Sequence, residues 1–170
     1  MTPSLVLKKM NKAYLLIGGN IGDRELNLIT AKEHILQKCG ELSAQSSIYQ
    51  TAAWGLEDQE PFLNQVLLIE TIFDPYQLLK EILAIEELLG RKRDVKYGPR
   101  IIDIDILLFD DEIISTKGLT VPHPQMQNRR FVLEPLAEIA GSFFHPVLKK
   151  SIVQLLEECP DKLAVQKFRS

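Results

Sequence analysis

Long apolar runs, paired cysteines and an excess of positive charge are all missing from this sequence, and each absence removes a class of protein. Its apolar stretches fall well short of the ~20 consecutive residues that a membrane-spanning helix needs. The run Leu5, Val6 and Leu7 before Lys8 and Lys9 is too short for the apolar region of a signal peptide, so a cytoplasmic location is expected. Two cysteines in 170 residues, Cys39 and Cys159, form no C-x-x-C pair and have no neighbouring His or Cys. They read as buried or incidental thiols in a reducing compartment, not as a disulfide framework or a zinc site. With 20 Lys and Arg against 23 Asp and Glu, the net charge of -3 argues against a protein that grips a nucleic-acid backbone with its whole surface. There is no G-x-x-x-x-G-K-[ST] loop, no H-R-D set and no Ser-His or Cys-His pairing. Gly18, Gly19 and Gly22 miss the G-x-G-x-x-G spacing and read as a tight turn.

What is present is an ordinary globular composition, 45% hydrophobic and 25% charged, in a length that fits one domain over residues 1–170, with residues 1–11 as an N-terminal arm. Residues 13–17 form an apolar run closed by glycine, the pattern of a buried strand. Asp23 can cap a helix whose Leu28, Ala31 and Ile35 share a face, and Gly40 stops it. Residues 46–51 and 65–71 read as two strands around a polar loop, 52–61. Asp74, Pro75 and Gln77 make a capping box with proline at the first helical position. The helix they start places Leu78, Ile82, Ile85 and Leu89 on one face and ends at Gly90. Residues 102–109 alternate as a strand, and Asp110 and Asp111 can turn the chain back through Ile113 and Ile114. The order βαββαβ, an added hairpin and helices near 131–139 and 152–158 predict an α+β fold: a ferredoxin-like core with a largely antiparallel sheet.

The chemistry concentrates in residues 91–108, where Arg91, Lys92, Arg93, Lys96 and Arg100 precede Asp103 and Asp105. Residues two apart on a strand project from one face, so the two carboxylates stand together, roughly 7 Å apart at the backbone, opposite Ile102, Ile104 and Ile106. A hard divalent cation such as magnesium is the usual way to keep two such neighbours ionised. Taken alone, the pair reads equally well as solvated acids on a sheet face. The basic cluster beside it shifts the balance, because arginine forks and a metal ion together match a triphosphate.

The segment Lys96-Tyr97-Gly98-Pro99-Arg100-Ile101-Ile102-Asp103-Ile104-Asp105-Ile106-Leu107 resembles the hallmark of the 6-hydroxymethyl-7,8-dihydropterin pyrophosphokinases. Residues 15–20, 47–51, 62–64 and 121–123, and Asn128-Arg129 followed by Phe131, resemble the same family in order and spacing over about 13–139. The resemblance implies transfer of pyrophosphate from ATP to a pterin hydroxymethyl group, leaving AMP, in folate synthesis. It implies two magnesium ions on Asp103 and Asp105, and charge stabilisation by Arg91 and Arg93. It also implies ATP contacts from Glu86, Arg93, Arg100, Ile106, Thr120, His123 and Arg129. The pterin would lie between Phe62 and Phe131, read by Asn64, with Thr51, Ala52 and Trp54 completing its pocket. Tyr97, Phe62, the pair Ala52-Ala53 and Leu83 depart from the commonest residues of the family. A monomer acting on small molecules, without nucleic-acid or membrane partners, is the expectation. The alternatives are a ferredoxin-like nucleic-acid module, which the negative net charge, the missing ribonucleoprotein signature and the paired aspartates argue against, and a noncatalytic ligand sensor.

Overall fold

The computed structural model describes residues 9–52, 59–90 and 101–169. The first strand, β1 (Asn11–Gly19), is followed by helix α1 (Arg24–Lys38), and then by the short strands β2 (Glu41–Gln45) and β3 (Tyr49–Thr51). Next come the long strand β4 (Phe62–Thr71), helix α2 (Pro75–Leu88) and strand β5 (Asp103–Phe109). A small hairpin, β6 (Ile114–Ser115) and β7 (Thr120–Val121), precedes helices α3 (Arg130–Ala140) and α4 (Ile152–Glu157) and the last strand, β8 (Val165–Lys167).

The main sheet runs β5-β1-β4-β3-β8, with β2 also paired to β4, and every pairing described is antiparallel. Each βαβ unit is therefore split by an inserted strand: β4 separates β1 from β2 and β3, and β1 separates β4 from β5. This is the ferredoxin-like arrangement expected from the element order. Alternation along β1 sorts its side chains between two cores. Ala13, Leu15 and Ile17 pack with Leu28, Ala31 and Ile35 of α1 and Leu78, Ile82 and Ile85 of α2. Tyr14 and Leu16 point the other way, to Val132, Leu133 and Leu136 of α3 and Leu155 of α4. A sheet covered on both faces accounts for the near-continuous burial of β1 and of residues 63–67 of β4.

The helix starts match the sequence. The Asp23 carboxylate accepts the Leu26 N–H, and Asp74 exchanges hydrogen bonds with Gln77 in a full capping box. Gly90 has φ +87, the left-handed conformation that ends α2.

Three expectations need correction, and the sheet has a strand that the sequence did not announce. The strand expected at 46–51 is broken: Ser46 sits between β2 and β3 with its hydroxyl accepting the Val66 N–H at 2.9 Å and donating to the Ser47 carbonyl at 2.7 Å. The hairpin pairs β6 with β7 and not with β5, because Asp110, at φ +48, swings the chain off the sheet edge before Ile114. Gly18 and Gly19 make no turn but continue β1, paired to Asn64 and Leu63. The left-handed residue of the following loop is Gly22, φ +69. Finally, β8 adds a strand beside β3 that three mostly exposed residues did not announce. Among the described residues, no helix is long and apolar enough to cross a membrane. The N-terminal arm expected at 1–11 falls largely outside the described residues, which start just before β1.

Candidate active site

Asp103 and Asp105 open β5 and are both half-buried, while Ile104 and Ile106 beside them are buried against α1 and α2. The carboxylates therefore lie on the opposite face, the one that α3 and α4 cover further along. Register makes that face specific. Asn64 of β4, Gly18 of β1 and Asp103 of β5 form one cross-strand row, and Val66, Leu16 and Asp105 form the next. Gly18 is the low point of the first row. A Cβ built there would fall 1.9 Å from Asn64 Oδ1, so the Asn64 side chain lies across the bare glycine backbone. Two strand spacings, roughly 10 Å, separate the Asn64 and Asp103 backbones across this floor.

At the β4 end, Thr51 of β3 pairs with Phe62, and Tyr49 pairs with Asn64, so Thr51, Phe62 and Asn64 share the face of the floor. Thr51 is buried, and its Oγ1 has no hydrogen-bond partner among the described residues. A buried hydroxyl left unpaired costs about 1–3 kcal/mol, a cost that a polar ligand would remove. Ala52 beside it is exposed, and Phe62 is half-buried. Phe131, in the first turn of α3, packs against the core on this same side of the sheet.

At the β5 end, the chain after β7 docks back on the strand: the His123 N–H donates to the Leu107 carbonyl at 2.9 Å. His123 Nδ1 accepts the Gln125 N–H at 3.2 Å, which leaves the proton on Nε2. Burial, helped by the charge of Arg129, pushes the His123 imidazole down to about 4, so it is neutral at pH 7 and offers one N–H donor. The Arg129 guanidinium carbon lies 5.9 Å from the Phe131 ring centroid. His123, Arg129 and Phe131 thus gather beside the strand that carries both aspartates, and Thr120 stands exposed at the start of β7.

Glu86 and Ile106 are placed differently from what a surface contact would require. Glu86 is 4% exposed, and its carboxylate accepts the Ile104 N–H at 2.9 Å on the outer edge of β5. The Ile106 side chain is buried against the helices, so only its main chain could meet a ligand. Arg91, Arg93, Arg100 and Trp54 lie outside the described residues. Sequence reasoning missed Gly18 as the floor of the site, although its signal, a glycine directly after an apolar run, was visible. It also missed Asn20. That residue is 3% exposed, and its amide donates to Gln59 Oε1 and the Glu60 carbonyl, both at 2.9 Å.

Among the described residues no group of three or more His, Cys, Asp or Glu is arranged to hold a metal ion. Asp103 and Asp105 could supply two hard oxygen ligands on a half-buried face. That number fits magnesium, which takes one or two carboxylates and fills its other positions with phosphate oxygens and water.

Residues 14–141 match the family of 7,8-dihydro-6-hydroxymethylpterin-pyrophosphokinase. The chain is 43% identical over 149 residues to the 2-amino-4-hydroxy-6-hydroxymethyldihydropteridine pyrophosphokinase of Aquifex aeolicus, covering 88% of this chain and 92% of that one. It is 49% identical over 130 residues to the enzyme of that name from Bacillus subtilis, covering 76% and 78%. Its fold resembles the crystal structure of Plasmodium falciparum HPPK-DHPS with pteroate, with a TM-score of 0.73 at 18% identity. That likeness spans 88% of this chain and 42% of the longer one, and it bears on the fold alone. With a family match over most of its length and relatives above 40% identity, this chain belongs to the 7,8-dihydro-6-hydroxymethylpterin-pyrophosphokinase family.

Proposed function

We infer that this protein transfers pyrophosphate from ATP to the hydroxymethyl oxygen of 6-hydroxymethyl-7,8-dihydropterin, giving the pterin diphosphate and AMP for folate synthesis. Family membership carries the reaction. The observation that ties it to this molecule is the row Asn64, Gly18 and Asp103, which spans the distance a flat bicyclic ring with a one-carbon arm would cover.

In this reading the pterin edge meets the Asn64 amide and the unpaired Thr51 hydroxyl, with Ala52 and Trp54 closing the pocket. Phe62 and Phe131 take its two faces, where a planar heterocycle gains from stacking. Gly18 gives the ring room to lie flat, and the arm then points along the row to Asp103. ATP lies toward β5 and the segment after β7. Neutral His123 donates through Nε2 to a phosphate oxygen, Arg129 and Thr120 add further contacts, and Ile106 offers its main chain on the open edge of β5. Glu86 acts one step back, by holding the β5 edge through the Ile104 N–H. Asp103 and Asp105 hold two magnesium ions, which when bound neutralise and orient the phosphate oxygens.

The pterin hydroxyl oxygen attacks the β-phosphorus. The bond from that phosphorus to the oxygen bridging it to the α-phosphorus breaks, AMP departs with the bridging oxygen, and the hydroxyl proton passes to solvent. Arg91 and Arg93 stabilise the charge that builds on the transferring group and Arg100 contacts ATP, so alignment and electrostatics do the work without a covalent protein nucleophile. The enzyme works as a monomer on small molecules, without a nucleic-acid or membrane partner. Incubation with ATP, magnesium and the pterin alcohol, followed by chromatography of the nucleotides, tests the reaction class. AMP should appear in step with the pterin diphosphate, and ADP appearing in its place would sink the assignment.

A further inference from the structure

The last strand has no part in the chemistry just described, yet it pairs with one stem of the segment that leads into the pterin side of the site, and Arg24, which stacks on the residue after the strand, bonds the other. On one stem, Val165 of β8 pairs with Thr51 and Lys167 pairs with Tyr49. Next to that strand, the Phe168 N–H donates to the Ile48 carbonyl at 2.8 Å, and the Phe168 ring packs on the α1 and α2 side of the sheet. The Arg24 guanidinium, at the start of α1, lies over that ring at 5.8 Å. Arg24 also reaches the other stem, where Nη1 donates to the Pro61 carbonyl at 2.8 Å, one residue before Phe62. From the opposite face, Glu138 of α3 holds β8 in place through Lys167 at 3.4 Å.

We propose that Arg24, Phe168 and β8 form a strap that sets the position of Thr51 and Phe62, so that Arg24 and Phe168 are positioning residues for the pterin although neither lies on its face of the sheet. The reasoning rests on direction. Phe168 faces the helices α1 and α2, whereas the floor of the site faces α3, so these residues act through the backbone at Pro61 and Thr51. A guanidinium that stacks on a ring and bonds a carbonyl at once is held on two sides. Losing it frees the Pro61 carbonyl and with it the approach of Phe62. This inference depends on the assignment of Thr51, Phe62 and Asn64 to the pterin.

Full-length Arg24→Ala, Arg24→Lys and Phe168→Leu, with Phe62→Ala as a reference, separate the possibilities. Steady-state kinetics should show KM for the pterin raised about tenfold in Arg24→Ala, the scale of one lost hydrogen bond from a charged group. KM for ATP should stay within twofold, Phe168→Leu should follow in the same direction, and Arg24→Lys should recover part of the loss. Amide hydrogen exchange reads the strap without the ligand: in Arg24→Ala, residues 59–63 should exchange about tenfold faster while residues 66–69 do not change. Unchanged exchange at 59–63, or the two KM values rising together, would overturn the strap. Faster exchange with no KM effect in either Arg24→Ala or Phe62→Ala would keep the strap as a clamp on the stem, overturn its role in positioning substrate and fault the pterin assignment itself.

Discussion

Gly18 is where a single hydrogen atom decides the shape of the site. Its neighbours in the row are polar and its position is buried, so a larger residue has to take space from Asn64, whose Oδ1 would be 1.9 Å from a new Cβ. The Asn64 side chain, whose Cγ would lie 2.9 Å from that Cβ, has to rotate away, and the Leu63 carbonyl at 3.1 Å gives less room still to move. Gly18→Ala should therefore cost the pterin more than it costs the fold. We expect KM for the pterin to rise at least about tenfold, the equivalent of ~1.4 kcal/mol, with KM for ATP little changed. Equal KM values for both substrates in variant and parent would remove Asn64 from the pterin site. Asp103→Ala and Asp105→Ala act on the other end of the row. Each removes a carboxylate from an accessible face that no core packing depends on, so turnover should fall by orders of magnitude while thermal unfolding shifts little. Unchanged turnover at saturating magnesium would return the pair to the status of solvated acids.

Elements in this fold are held to one another by a few polar clips, and the one on α3 is sensitive to acid. The Glu138 carboxylate accepts both the N–H and the hydroxyl of Ser47, just before β3, and lies near Lys167 of β8. Burial raises its pKa, but the Ser47 hydrogen bonds and Lys167 outweigh that and hold it below the ordinary glutamate value of 4.5. A carboxyl depressed in the folded state contributes stability that is fully present above its unfolded pKa and is lost as pH falls through its folded one. His123, pushed from 6.5 down to about 4, acts earlier on the way down. The unfolded chain takes up the His123 proton below about 6.5 and the folded chain does not until about 4, so this group erodes stability across that window. Denaturant melts from pH 7 to pH 3 should show Glu138→Gln losing stability at pH 7 and having a flatter profile than the parent below pH 4.5 only. A parallel offset at every pH would mean that the clip is not the titrating group.

These clips explain what could and could not be read beforehand. The caps at Asp23 and Asp74, the apolar faces of α1 and α2 and the alternation at 102–109 are local patterns, and all appear in the structure. The D-x-D face was legible for the same reason: strand geometry alone puts Asp103 and Asp105 together. What escaped depends on partners distant in sequence. The residues of β2, Glu-Leu-Ser-Ala-Gln, carry no β-branched or aromatic residue and become a strand only because β4 pairs with them. β8 exists only because β3 offers an edge. The floor at Gly18 follows from register across three strands, which no single segment encodes. Glu86, expected among the ATP contacts, is held under the edge of β5 by its bond to the Ile104 N–H, 18 residues away, which no local pattern announces.

At the scale of the whole molecule, the proposed reaction asks a chain of net charge -3 to bind a polyanion, and the proposal puts two aspartates beside its phosphates. Those charges oppose ATP unless a divalent cation lies between them. ATP without metal should therefore bind weakly, and magnesium should be required for nucleotide-linked stabilisation and not only for turnover. A ligand that binds only the folded state at 100 times its Kd adds about 2.7 kcal/mol to stability. In a domain of this size that raises Tm by roughly 5–11 °C. With a nonhydrolysable ATP analogue and magnesium, a thermal shift of that order is expected, falling to a small fraction when the metal is chelated. Addition of the pterin alcohol to the magnesium-analogue complex should raise Tm further, and by more than it does for the free protein, because the nucleotide and the metal complete the β5 end of the row. Asp103→Asn with Asp105→Asn removes two negative charges without changing side-chain shape. In that variant the analogue should stabilise the protein to the same modest extent with and without magnesium, because the repulsion and the metal site disappear together. A double variant that still needed magnesium for the full shift would place the metal on other ligands, and a parent protein stabilised equally by the analogue with and without magnesium would remove the two aspartates from nucleotide binding altogether.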